Sequence, residues 1–226
     1  GFLLGEKEEA VVWRGPMKAV AIEQFLGEVE WGDLDYLIVD SPPGTGDEPL
    51  EVVQAIGDPD GAVIVTTPQE TALTNVRRSV KFCELLKVPV LGVIENMAGF
   101  VCPNCGEVTH VFSQGGGAAM AAAAGIPFLA SVPLDPAIVE AGDSGRPYVE
   151  KYPDSVAAQE FAKAVIPMLA LDDSNGGGAT ISPSAADAAA APATDAAANA
   201  QQGDATAAGK QSWRFAVPVS NGLLCP

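Results

Sequence analysis

Cys102-Pro103-Asn104-Cys105-Gly106 carries the most pointed chemistry in this sequence. Cysteines at i and i+3 around a tight turn aim two sulfurs at one point, the arrangement a metal requires. Three uses compete. A zinc knuckle takes four ligands, yet the sequence holds no second Cys-x-x-Cys. A thioredoxin-like redox pair usually opens a helix, whereas Gly106 and the β-branched Val108, Thr109 and Val111 predict a hairpin. The third use is half of a shared site. Two thiolates per chain become four across a two-fold axis, which is what an iron–sulfur cluster takes. His110, the only histidine, is a possible ligand or an exposed hairpin side chain.

A second group follows the apolar run Tyr36-Leu37-Ile38-Val39, which ends in Asp40-Ser41-Pro42-Pro43-Gly44-Thr45-Gly46-Asp47. An Asp closing a buried strand is the Walker B arrangement, which holds Mg²⁺ beside a nucleotide's phosphates. Gly44 and Gly46 permit backbone N–H groups to approach a γ-phosphate. The plainer reading is a turn whose Asp residues cap the next helix. Asn96, in Glu95-Asn96-Met97, has both a donor and an acceptor for a nucleobase edge, or serves as a turn residue. Gly115-Gly116-Gly117 could cradle an anion, or simply return the chain from the Cys loop. Cys83 reads as core. Arg77, Arg78 and Lys81 read as a solvated helix face.

These residues need a scaffold, and the patterning predicts one. Ile22, Phe25, Leu26 and Val29 fall at helical spacing over about 17–29. Continuous apolar runs at 36–40, 62–66 and 88–94, with a shorter one at 128–132, suit strands buried on both faces. Helices are expected over 70–86, 117–124, 135–141 and 154–170, with Asp135 a plausible N-cap. Alternation of this kind gives an α/β fold, a doubly wound and mostly parallel sheet. Ligands bind such sheets at the carboxyl ends of the strands, where Asp40 and Asn96 lie.

Composition narrows the class. The chain has 226 residues, with 12 Lys+Arg against 29 Asp+Glu, a net charge of −17. That balance argues against non-specific nucleic-acid binding and against docking on anionic membranes. No apolar run reaches the roughly 18 residues that span a bilayer. Four Cys make no disulfide framework, which suits a reducing, cytoplasmic setting. Residues 172–211 contain 15 Ala and no aromatic, a linker composition expected to stay disordered. Three regions follow: a nucleotide-fold region over 1–171, the linker over 172–211, and an apolar strand-like end over 212–226.

Together these motifs resemble the Mrp family of iron–sulfur cluster carrier ATPases, relatives of MinD and of nitrogenase iron protein. The resemblance covers about residues 1–170. It rests on Trp13-Arg14-Gly15-Pro16-Met17, on the segments from Asp40, Thr66-Thr67-Pro68-Gln69, Glu95-Asn96-Met97 and Cys102-Pro103-Asn104-Cys105, and on Val132-Pro133-Leu134-Asp135-Pro136. It implies a P-loop NTPase that carries a [4Fe–4S] cluster to apoproteins under control of ATP. Cys102 and Cys105 would pair with the same residues of a second subunit around the cluster. Asp40 would lie at the Mg²⁺–ATP site and act in hydrolysis. Gly44 would belong to a switch loop, and Asn96 would read adenine. The alternative is a MinD-like ATPase switch with structural zinc at the two cysteines.

One departure stands out. No Gly-x-x-x-x-Gly-Lys-Ser/Thr loop occurs in the sequence. The stretch from Gly1 therefore reads as the downstream part of such a domain, truncated at its N-terminus and expected to be inactive alone. The end, Trp213-Arg214-Phe215-Ala216-Val217-Pro218-Val219 onward, resembles the opening of a NifX-like metallocluster-binding domain. It is expected to form a strand and turn with no partners.

Overall fold

The computed structural model describes residues 15–102, 104–105, 107–171 and 214–219. The linker expected over 172–211 lies outside the described residues. Strands and helices alternate as expected, with α2 added to the helices predicted: α1 (Gly15–Gly27), β1 (Tyr36–Ile38), α2 (Asp47–Ile56), β2 (Gly61–Thr66), α3 (Glu70–Leu86) and β3 (Val90–Val101). Then come β4 (Val108–Thr109), α4 (Gly116–Ala124), β5 (Phe128–Leu134), α5 (Pro136–Asp143), α6 (Tyr148–Lys151), α7 (Val156–Leu169) and β6 (Arg214–Val219).

One sheet of six strands forms, in the order β1-β6-β2-β3-β4, with β5 also paired to β3. Every pairing is parallel except that of β3 with β4, which is antiparallel. Helices cover both faces, as the apolar runs require. Val93 and Ile94 are consecutive in β3, so their side chains leave opposite faces of the sheet. Val93 packs into a core with Leu26, Val52, Ile56, Leu73, Val76 and Met120, which come from α1 to α4. Ile94 packs instead against Val132, Ala141, Tyr148 and Ala157, which brings in α5 to α7. Ile64 and Val93, both fully buried, mark the centre of the first core.

Local chemistry sets the element ends. Asp135 caps α5 by accepting the Ala137 N–H at 2.8 Å, as expected, with Pro136 as the first helical residue. The same carboxylate accepts the Tyr148 hydroxyl at 2.5 Å. Burial, then this bond, holds the Tyr148 phenol above its ordinary range. Ser155 caps α7 through the Ala158 N–H. Lys87 ends α3 in the left-handed region, at φ 60°.

Three differences from the sequence reading are physical. First, α1 ends at Gly27, so Val29 lies beyond it: of the four predicted apolar positions Ile22 and Leu26 pack into the core while Phe25 and Val29 stay exposed. Second, β3 does not stop at Glu95-Asn96-Met97. Met97 takes φ 56° and kinks the strand, which then runs on to Val101 as one arm of a hairpin. Third, the strand expected near the end does form, but it has partners: β6 pairs with β1 and with β2.

Candidate functional site

The structure holds two candidate centres. The first is the carboxyl end of the parallel strands. Asp40 follows β1 and is exposed to solvent. Gly44 stands in the next turn at φ 100°, in the left-handed region that favours glycine. Nothing lies within 4 Å of where its Cβ would be, so backbone conformation and not crowding calls for glycine there. The turn delivers the chain into α2, whose N-cap is Gly46, with no side-chain bond to the helix amides. Thus none of the Asp residues caps α2, and Asp40 is left open to solvent. The Lys18–Glu48 ion pair at 2.6 Å ties α1 to the first turn of α2. That hydrogen bond lowers the Glu48 carboxyl below its usual range.

The neighbouring strand ends complete this face. Thr66 and Thr67, at the end of β2, are buried, and the Thr67 hydroxyl donates to Gln69 Oε1 at 2.8 Å. Asn96 is half-buried on β3. Its side-chain oxygen accepts the N–H of Met97 at 3.0 Å and thereby holds the kink. The turn role is therefore seen for the Asn96 oxygen.

Sequence reasoning missed one residue here. Glu95 is only 2% exposed, and its Oε2 accepts the Gly117 N–H at 2.5 Å. This bond uses one amide of Gly115-Gly116-Gly117 on the protein's own carboxylate. It ties the start of α4 to β3 and counts against an anion cradle. The signal was a charged residue inside an apolar strand run, which needs a buried partner.

The second centre is the hairpin tip. β3 and β4 pair through Phe100↔Thr109 and Val101↔Val108, and the Cys102 N–H donates to the Glu107 carbonyl at 2.9 Å. The predicted hairpin thus carries both cysteines across its turn, with Cys102 half-buried and Cys105 exposed. The Cys102 thiol is held below its ordinary range. The causes are the backbone N–H of Cys105, then that of Asn104, then the Cys105 side chain. These bonds favour the thiolate, the form that binds metal and reacts with electrophiles. Cys83 contrasts with it: buried in α3, its thiol is pushed up to about 11 by desolvation. Iodoacetamide at neutral pH should therefore label Cys102 well before Cys83. The Cys102 rate should also reach half its plateau below the pH of an ordinary thiol. Peptide mass mapping across a pH series checks this.

His110 does not join the cysteines. Its Nδ1 contacts the Ala98 carbonyl at 3.0 Å, which requires that nitrogen to carry the proton. No group of three or more His, Cys, Asp or Glu suited to a metal occurs among the described residues. Arg77 pairs with Glu70 and Lys81 with Glu84 on the solvated face of α3, as predicted. No helix among the described residues is long and apolar enough to cross a membrane.

Residues 1–168 match the ParA family profile, described as NUBPL iron-transfer P-loop NTPase. The chain belongs to this iron-transfer P-loop NTPase family. Curated relatives agree. The chain is 52% identical over 167 residues to a cytosolic Fe-S cluster assembly factor NUBP2 homolog of Nematostella vectensis, covering 73% of this chain and 62% of that protein. It is 53% identical over 159 residues to the cytosolic Fe-S cluster assembly factor NUBP2 of Bos taurus, covering 70% and 59%. It thus spans about three-fifths of the length of these relatives. Among solved structures, a nucleotide-binding protein of Archaeoglobus fulgidus in complex with ADP superposes with a TM-score of 0.55 at 46% identity. That match covers 64% of this chain and 58% of the archaeal one. The parallel α/β architecture predicted from the strand runs is the fold of this P-loop NTPase family.

Proposed function

We propose that this chain is the cluster-bearing part of a cytosolic iron–sulfur cluster carrier. It holds a [4Fe–4S] cluster as cargo between two copies and passes it to recipient apoproteins under control of ATP. One observation carries the reading. Cys102 and Cys105 sit on an exposed hairpin turn whose backbone amides stabilise a thiolate, and no third protein ligand is grouped with them among the described residues. Such a pair is half a cluster site. Val101, Val108 and Val111 are exposed beside it, an apolar surface for a second copy to cover. A homodimer closed through the two Cys loops completes four thiolates.

The nucleotide end is assigned by position. Asp40 holds Mg²⁺ beside ATP and takes part in hydrolysis, Gly44 belongs to a loop that responds to the γ-phosphate, and Asn96 reads adenine through its amide. The 226 residues contain no Gly-x-x-x-x-Gly-Lys-Ser/Thr loop, the main cradle for phosphates in this class. These 226 residues by themselves should therefore hydrolyse no ATP above background. A phosphate-release assay with Mg²⁺ checks this, and turnover abolished by Asp40→Ala would contradict it.

The rival is a nucleotide-dependent switch with one structural zinc per pair of chains. Metal analysis after anaerobic purification separates the two. Iron with equimolar acid-labile sulfide supports the carrier; zinc without iron supports the switch.

A further inference from the structure

The hairpin that carries the cysteines hangs from the sheet by one strand. β4 pairs only with β3, through Phe100↔Thr109 and Val101↔Val108. β2 leaves β3 at Thr66↔Glu95, and β5 leaves it at Phe100↔Leu134. Among the described residues, no other strand pairs with the hairpin beyond that point. The direction in which Cys102 and Cys105 point is therefore set where β3 parts from its neighbours.

That place is an irregular step. Between Asn96↔Val132 and Phe100↔Leu134, β3 advances four residues while β5 advances two, so Met97, Ala98 and Gly99 form a bulge. Met97 sits at φ 56°, in the left-handed region that a residue with a Cβ avoids unless something holds it there. Two side-chain bonds flank it. Asn96 Oδ1 accepts the Met97 N–H at 3.0 Å on the strand side. On the hairpin side, His110 Nδ1–H donates to the Ala98 carbonyl at 3.0 Å and fastens the returning arm to the bulge. Gly99 makes room for that arm: a Cβ there would lie 3.1 Å from Val108 Cγ1 and 3.4 Å from His110 Nδ1. Met97 and Ala98 are buried, so the bulge is packed against the body of the protein.

We propose that Asn96 and His110 are positioning residues for the cysteine pair: their two bonds fix the bulge at 97–99 and so aim the hairpin where a second copy's hairpin can meet it. The inference rests on the reading of Cys102 and Cys105 as half of a shared cluster site. Neither bond involves a sulfur; both act through the backbone of Met97 and Ala98. The two sulfurs of one chain are brought together by their own turn, whereas a four-thiolate site across a two-fold axis needs both hairpins held in one pose. Losing either bond should therefore spare the pair and spoil its sharing. Asn96 is also the residue assigned to adenine, so one side chain serves both centres.

Three variants of the 226-residue chain test this. Asn96→Ala removes the acceptor for Met97, and Asn96→Asp restores one. His110→Phe keeps a ring over Gly99 but cannot donate. In amide hydrogen exchange of the metal-free chain, Asn96→Ala and His110→Phe should speed exchange at 98–102 and 107–110 by about fivefold or more, the effect of one lost hydrogen bond. Val93, Ile94, Ala130 and Val132 should keep their parental rates, and Asn96→Asp should match the parent throughout. Parental hairpin rates in the first two variants, or an equal rise at all these sites, would overturn the proposal. The second measurement reads the cysteines. Phenylarsine oxide bridges two neighbouring thiols and releases one water, so it should be captured equally by the parent and all variants. After anaerobic reconstitution, iron held by dimers should fall about fivefold or more in Asn96→Ala and His110→Phe, and recover in Asn96→Asp. Parental iron in those two variants, or loss of arsenical capture, would overturn the proposal. A parent that captures the arsenical but holds no iron would overturn the cluster reading instead, and hydrogen exchange alone would then decide whether Asn96 and His110 position the hairpin.

Discussion

Cys102→Ser/Cys105→Ser should abolish iron retention: after anaerobic reconstitution with iron and sulfide, bound iron should fall at least tenfold and the brown chromophore should be lost. The reasoning is chemical. Iron–sulfur clusters are held by thiolates, and a serine hydroxyl at neutral pH is a far weaker ligand. The hairpin should survive the change, because its closing bond runs from the Cys102 backbone to the Glu107 carbonyl and uses no sulfur. Both side chains stand outside the two cores, so thermal stability of the metal-free protein should shift by less than about 0.5 kcal/mol. Single variants should behave almost like the double one, since a shared four-thiolate site that loses one residue loses two ligands at once. A double variant that keeps the chromophore would remove the site assignment.

Gly116→Ala should destabilise the fold by about 3 kcal/mol, the upper range for forcing an atom into a packed place. A Cβ at Gly116 would lie 2.5 Å from the Pro68 carbonyl oxygen and 2.7 Å from Leu73 Cδ1. The leucine tip can move, but the carbonyl belongs to the backbone turn after β2. Relief therefore requires α4 to withdraw from that turn, which strains the neighbouring bond from the Gly117 N–H to buried Glu95. Gly142→Ala is the control. It also lies in a helix but has nothing within 4 Å of its Cβ position. Alanine's better helix propensity should make that variant neutral or more stable by up to about 1 kcal/mol. Urea unfolding of both variants against the parent measures the difference. A Gly116→Ala protein as stable as Gly142→Ala would show that α4 does not approach the turn this closely.

The sequence made the sheet's long elements legible because their signals are local. α3 occupies 70–86 as its helical spacing predicted, and the apolar runs at 62–66 and 128–132 are β2 and most of β5. The hairpin after β3 was legible too, since Val108 and Thr109 are poor choices for a redox helix. What failed to show were features set by tertiary packing. The kink at Met97 depends on Asn96 turning back on its own backbone, which apolar patterning does not encode. Glu95 looked like part of a strand-end motif, and only the fold shows that its carboxylate meets the start of α4. The place of β6 in the sheet is a long-range pairing, across residues 172–213, that no local pattern could have disclosed. At the candidate site, the residue types pointed to cysteine–metal chemistry. The favoured thiolate at Cys102 came from backbone amides, which a one-dimensional pattern does not place.

Native mass spectrometry of the anaerobically reconstituted protein, with iron and sulfide determined on the same sample, tests the central claim most directly. The account predicts a dimer carrying four iron and four sulfide, bound through Cys102 and Cys105 of each copy. A monomer that holds a complete cluster, or a dimer that holds a single zinc and no iron, would contradict it.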